Sequence, residues 1–285
     1  MPGDLSNQSA SDEGRFVGEA EVEIRWQAWL PAGSPRAAVV IAHGVSEHSG
    51  RYSHVAERLA GAGYATYGID HRGHGRSGGD RVLIDRFAYV IEDLDQLVDL
   101  VAEQHPGMPR FLLGHSMGGG ISIGYTLAYE EKLDGLILSA PLSNSDAATR
   151  VQRVASSLLS RIAPKLGIFP VDSATISRDP EVVRAYDEDP LVDRRKLPAR
   201  TVAELTEGVD DFCDRVPALG LPVLLMHGTA DELVPFSGSE RLFEAIGSQD
   251  KTFKRYDGLY HEILNEPEQD EVITDVLDWL DGRVD

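Results

Sequence analysis

A single cysteine among 285 residues, Cys213, leaves no intrachain disulfide and no cysteine metal site open to this chain. It falls in a stretch with helical spacing, where the expectation is a buried structural thiol. Long apolar runs are also missing, and no window approaches the roughly 20 apolar residues of a membrane span. Basic residues are scarce, 27 against 47 acidic, for a formal net charge of -20. That balance argues against nucleic acid as a partner and against docking on anionic lipid through charge. The acids crowded into 257–285 alternate with an apolar helical stripe and read as a solvated face. Met1 to Gly14 has neither a basic n-region nor an apolar h-region, so 1–14 reads as a disordered polar tail rather than a signal peptide. Cytoplasmic residence is the expectation, with any membrane contact peripheral. No feature points to an oligomeric state.

What is present is a chain long enough to bury a sizeable core, with strands and helices in alternation. Phe16 to Leu30 reads as one or two antiparallel strands. Ala37–Ala42, Ala65–Ile69, Phe111–Leu113 and Gly135–Ser139 are buried-strand runs. Helical spacing fills Arg51 to Gly63 and the stretch from Phe87 to about Gln104. This order predicts a mostly parallel central sheet flanked by helices. The alternation breaks at Pro141, and from there to about Pro217 helical segments appear without a convincing strand. Strands resume at Val223–Met226 and Thr252–Tyr256, with helices over Gly238–Ile246 and Val272–Leu280. The α/β core is therefore 15–141 and 218–285. Residues 142–217 form a helical cap inserted over the C-terminal edge of the sheet, where ligands bind in open α/β folds. Within it, Val151, Val154, Leu158, Ile162 and Leu166 fall at helical spacing, a helix that Gly167-Ile168-Phe169-Pro170 should end.

The chemistry centres on Gly114-His115-Ser116-Met117-Gly118, placed between an apolar strand and a small-residue helix start. A serine on so sharp a turn needs small residues two before and two after it, since a Cβ at either place would strike the adjoining strand or helix. A serine hydroxyl is a weak nucleophile and needs a base, itself oriented by a carboxylate. Asp231 directly follows the Val223–Met226 strand, and His261 directly follows the Thr252–Tyr256 strand. Ser116, Asp231 and His261 thus take the order and strand-end positions of a hydrolase triad. Glu232 is the adjacent competitor for the acid and should point away. Asp70 ends a strand before the elbow and reads as structural. His43, His71 and His74 read as loop-packing residues, and His115 should pack beneath the nucleophile. The tetrahedral oxyanion needs two backbone donors, for which the N–H groups of Met117 and Val45 are placed. No metal and no cofactor is called for.

His43-Gly44-x-x-Glu47-His48-x-x-Arg51-Tyr52, Asp70-His71-Arg72-Gly73-His74-Gly75-x-Ser77 and the elbow, followed by Asp172-Ser173…Ser177-Arg178…Tyr186…Asp189-Pro190-Leu191 and Tyr260-His261, resemble the monoacylglycerol lipases of the α/β-hydrolase superfamily. The resemblance covers about 17–282. It implies an α/β-hydrolase fold with a cap that lines an acyl tunnel and rests on membranes, and a reaction releasing glycerol and a fatty acid from monoacylglycerol. It also implies that Glu47, Arg51 and Tyr186 help hold the glycerol headgroup; the alternative for Glu47 and Arg51 is a local ion pair at a helix start. Vertebrate members carry a second histidine in the headgroup pocket where this chain has Leu264, which implies a looser grip on glycerol. A broader carboxylesterase or lysophospholipase would use the same triad. A non-enzymatic small-molecule receptor is disfavoured because all three triad positions are filled, and a haloalkane or epoxide hydrolase because the nucleophile position is not Asp.

Overall fold

Alternate residues of the central strands face opposite sides of the sheet, and here both sides are apolar. The computed structural model describes residues 12–143 and 157–284. In β3 (Ala37–Ala42), Ala38, Val40 and Ala42 pack into one core cluster while Ala37, Val39 and Ile41 pack into the other. A strand buried on both faces needs helices on both sides, as the sequence predicts. Helices α2 (Phe87–Gln104) and α3 (Met117–Tyr129) supply the first cluster with Leu94, Val98 and Ile121. On the opposite face, Val55 and Leu59 of α1 (Ser53–Gly61) lie with residues of the last helix, Val272, Val276 and Leu280.

Among the described residues the main sheet has eight strands in the order β1-β2-β4-β3-β5-β6-β9-β10. Strands β4 (Tyr64–Asp70), β5 (Arg110–His115), β6 (Gly135–Ser139), β9 (Val223–Gly228) and β10 (Lys251–Tyr256) run parallel with β3. At one edge β2 (Glu23–Trp29) is antiparallel to β4, and β1 (Asp12–Val17) is antiparallel to β2. Strand β1 thus begins inside the span read as a tail. Its side chains alternate between exposed and half-buried at a sheet edge, so no apolar pattern marks it. The remainder of that tail, 1–11, lies outside the described residues.

The insertion differs from expectation in two ways. Gly167–Phe169 does not merely end a helix; it forms β7, which pairs antiparallel with β8 (Leu197–Pro198). Strands of three and two residues are too short to display alternation. Cys213 is exposed rather than buried. It closes α5 (Ala199–Cys213) one residue after Phe212, whose ring is in the core, and one residue further turns the side chain about 100° around the helix. The insertion also contains α4 (Pro180–Glu188) and a helical turn over 157–162, and the core continues through α6 (Phe236–Ala245) to α7 (Gln269–Asp281). Val151 and Val154 lie outside the described residues.

The glycine-rich loop after β4 is held by a buried ion pair. Arg72 Nε donates to Asp93 Oδ2 at 2.7 Å and its Nη2 to Oδ1 at 2.9 Å, with both side chains almost fully buried. Asp93 Oδ1 also accepts from the Glu19 amide, which ties the N-terminal edge to α2. Removing one partner of a buried pair leaves an uncompensated charge, so Asp93→Ala should destabilise the fold by about 3–5 kcal/mol. Urea unfolding of the two proteins checks this; a loss under about 1 kcal/mol would mean that water reaches Arg72.

Candidate active site

The elbow has the geometry that its small residues imply. Ser116 sits at φ 52° and ψ -118°, a positive φ that costs a non-glycine residue energy. A Cβ on Gly114 would lie 2.5 Å from the Gly118 carbonyl oxygen in α3, and one on Gly118 would lie 2.5 Å from the His43 carbonyl oxygen at the end of β3. Strand and helix therefore meet backbone to backbone, and α3 aims its N-terminus at the serine.

Ser116, His261 and the two proposed oxyanion residues, Val45 and Met117, line one cavity of about 200 Å³. Asp231 stands behind His261 and is buried. His261 Nδ1 lies 2.7 Å from Asp231 Oδ2, so the imidazole donates there and presents Nε2 as the base. Asp231 Oδ1 accepts the amides of Leu233 and Val234 at 2.8 and 2.9 Å. The competing Glu232 is exposed. Burial works to push the Asp231 carboxyl up, but the charge of His261 and the hydrogen bond from His227 hold it well below its ordinary value. Burial likewise opposes charging of His261, while Asp231, Glu262 and Glu47 together raise its pKa above 6.5.

Glu47 is buried, and its acceptors are largely committed. Oε1 accepts the Gly44 amide at 2.6 Å and the Tyr52 hydroxyl at 2.7 Å, while Oε2 accepts Arg51 at 2.6 Å. Arg51 also reaches Glu262 with two bonds of 2.6 Å, one to each oxygen. Its guanidinium lies over the Tyr186 ring, 4.8 Å from the centroid. Glu47, Glu262 and Tyr186 line the cavity, with Arg51 behind them. The local ion pair and the pocket position are thus both present. Although burial pushes Glu262 up, Arg51 holds it at about 2.

Leu264 is a different matter. It is buried with Ile263 and Val272 in the core, its carbonyl accepts His54 Nε2 at 2.8 Å, and it is not among the residues that line the cavity. Leu264 therefore puts no side chain into the cavity.

The other histidines pack, as expected. His115 faces His261 with ring centroids 4.7 Å apart; burial and the neighbouring His261 lower it to about 4. His43 Nδ1 donates to the Gly44 carbonyl at 2.6 Å, which fixes the tautomer and leaves Nε2 to accept the His71 amide at 3.0 Å. Gly44 is therefore gripped at its N–H by Glu47 and at its carbonyl by His43, and the next amide is that of Val45. Asp70 accepts the amides of Ser49 and Arg76, consistent with a structural role.

Sequence reading missed Glu262 and His227. Glu262 is adjacent to the base but looked like one acid in an acidic segment. His227 is four residues before Asp231 in His227-Gly228-Thr229-Ala230-Asp231, a spacing that could have drawn notice.

The Hydrolase_4 family, described as Serine aminopeptidase, S33, matches residues 33–268. The chain is 43% identical over 273 residues to the monoacylglycerol lipase of Mycolicibacterium smegmatis, covering 95% of this chain and 98% of that one. It is 37% identical to the monoglyceride lipase of Homo sapiens, across 90% of this chain and 86% of the relative. The crystal structure of the Paleococcus ferrophilus monoacylglycerol lipase superposes with a TM-score of 0.82 at 33% identity, covering 90% of this chain and 98% of that one.

Catalysis by this site needs neutral His261, so kcat/KM should rise with pH through an apparent pKa above 6.5. Glu262→Gln removes a charge that favours the imidazolium, and the acidic limb should move to lower pH. Rate profiles on a short soluble ester check both; a limb that stays put or rises in the variant refutes the assignment of Glu262.

Proposed function

The chain belongs to the Hydrolase_4 family and, within it, to the monoacylglycerol lipases of α/β-hydrolase fold; on that premise we propose how its residues divide the reaction. The observation that carries the reading is the 2.7 Å bond between Asp231 and His261, with His261 on the same cavity as Ser116. Ser116 Oγ attacks the ester carbonyl as His261 Nε2 takes its proton, and the amides of Met117 and Val45 receive the oxyanion. His261 returns the proton to the departing glycerol oxygen, leaving an acyl-serine. Water, deprotonated by the same nitrogen, then releases the fatty acid.

The acyl chain lies in the aliphatic part of the cavity, against Leu142, Leu205, Val209 and Leu233. Glycerol meets the polar end. Each carboxylate oxygen accepts about two hydrogen bonds. Glu47 Oε2 and Glu262 Oε1 each receive Arg51, so each keeps an acceptor position for a glycerol hydroxyl. Arg51 acts through these two acids and not by touching glycerol.

Residues 142–217 act as the cap. Leu158, Ile162, Leu166 and Phe169 are exposed, and Phe169 also lines the cavity. This apolar rim is the surface that rests on the lipid, and with a chain of -20 the contact is hydrophobic and insensitive to salt. No helix among the described residues is long and apolar enough to cross a membrane.

A hydrolysis panel tests the function. Monoacylglycerol should exceed diacylglycerol, triacylglycerol and lysophospholipid in kcat/KM, and Ser116→Ala should lower turnover by about 10⁴-fold or more and abolish fluorophosphonate labelling. Arg51→Ala should narrow the preference for monoacylglycerol over the matching methyl ester by roughly tenfold. Faster triacylglycerol cleavage, or labelling retained at another serine, overturns the reading. Separately, replacing Leu158 and Ile162 with Ser should weaken liposome association while turnover of a short soluble ester stays unchanged; loss of both would place these side chains in the core instead.

A further inference from the structure

The carboxylate of Asp231 is shared by two imidazoles. Its Oδ2 lies 2.7 Å from His261 Nδ1 and 2.9 Å from His227 Nε2. His227 Nε2 is also 3.1 Å from the Val234 carbonyl oxygen. A carboxylate oxygen and a carbonyl oxygen only accept, so Nε2 of His227 carries a proton and points it between them. The other ring nitrogen, Nδ1, is 2.7 Å from Ser239 Oγ in the first turn of α6. His227 and Ser239 are both fully buried, and the Phe236 ring meets the imidazole edge-on at 5.6 Å. The reaction derived above uses neither His227 nor Ser239.

We propose that His227, oriented by Ser239, is a positioning residue of the triad, holding the Asp231 carboxylate by Oδ2 and limiting how strongly that oxygen binds His261. The inference rests on the assignment of Ser116, Asp231 and His261 given above. With Oδ1 fixed by two amides, the donor on Oδ2 completes the set of four that fills the carboxylate. Its first effect is geometric. The plane of the carboxylate is fixed, and His261 cannot rotate with it. Its second effect is electronic. An oxygen that accepts two N–H groups offers each a weaker bond than it would offer one alone, so the imidazolium of His261 is stabilised less than by an unshared carboxylate. A base held too firmly in its protonated state has to be freed at higher pH before it can work. The remaining charged or titratable groups around His261 are Glu262 beside it, Glu47 on the same cavity, Arg51 behind these two acids, and His115 against its ring. None of them touches the Asp231 carboxylate through a hydrogen bond in this structure, so a change at His227 reaches His261 through Asp231.

The test compares wild type with His227→Leu, His227→Gln and Ser239→Ala, using the full chain and a short soluble ester across pH, with Ser116→Ala as background. Leucine removes the donor. Glutamine returns an amide nitrogen with two N–H bonds for the same two acceptors. His227→Leu should lose about tenfold or more in kcat with KM changed by less than about twofold, and the acidic limb should move up by about half a pH unit. His227→Gln should recover most of that loss and bring the limb back toward the wild-type position. Ser239→Ala, which leaves the ring but frees its orientation, should shift kcat and limb in the same directions by less. Unchanged kcat and limb in His227→Leu overturn the proposal, as does a glutamine variant no better than leucine. Where His227→Leu fails to fold, judged by thermal melting, Ser239→Ala decides, and an unmoved limb there is equally fatal. A wild type no more active than Ser116→Ala would instead refute the triad itself.

Discussion

Everything in this molecule that bears on catalysis follows from how closely strand β5 and helix α3 meet at Ser116. One residue carries the chain from strand to helix, and it does so in a backbone region that a side chain tolerates poorly. The turn stays because the packing on either side leaves it no alternative. Gly114 lies against α3, Gly118 lies against the end of β3, and the flanking strand and first helical turn are buried. From that one crossing come the outward hydroxyl, the inward amide of Met117 and the helix terminus beneath them. The loops after β3, β9 and β10 then need only end at the same edge of the sheet, which their parallel register ensures.

The second theme is how carboxylates stay ionised inside an apolar cavity. Asp231, Glu47 and Glu262 are all buried, and each is surrounded by donors in place of water. Burial alone would push the Asp231 and Glu262 carboxyls up, toward their neutral forms. Two acids share Arg51, and one acid is shared by two histidines, so the site keeps a negative potential on the side that faces His261. In the proposed reaction that potential favours the imidazolium formed as Ser116 gives up its proton, and the preformed donors need not reorganise.

Much of this was legible in the sequence, for a physical reason. Ser116 and Asp231 each follow a short apolar run that can hardly be anything but a buried strand, whereas His261 follows the half-buried edge strand β10 and is marked by its place after the last strand; each is punctuated by glycine or a turn. Local pattern was enough to place them. Other features depend on partners distant in the chain. The edge strand β1 carries no pattern because it buries little, and the pair β7–β8 because its strands are too short. Cys213 sits beside an apolar stripe and not on it. Leu264 follows the catalytic histidine closely in sequence, yet the short helical turn over Ile263–Asn265 directs it into the core. Glu262 and His227 acquire meaning only once Arg51 and Asp231 are seen to meet them. The pairing of Glu47 with Arg51 could be named from the sequence, but the bridge from Arg51 to Glu262 could not.

The bond from the Gly44 amide to Glu47 has a bearing on how this enzyme can be altered. The same carboxylate lines the headgroup end of the cavity, steadies the peptide next to the Val45 amide, and joins Arg51, which in turn grips the residue adjoining the base. On the proposed roles of Glu47 and Val45, selectivity and rate share one mechanical part at the polar end. A designer who reshapes that end for a new alcohol, or a chemist who targets it with an inhibitor, disturbs the transition state as well as the recognition of the leaving group. The aliphatic end is built differently: Leu205 and Val209 project from α5, outside the loops that carry Ser116, Asp231 and His261, so that wall of the cavity is the part that natural variation or engineering can move with least effect on the polar end.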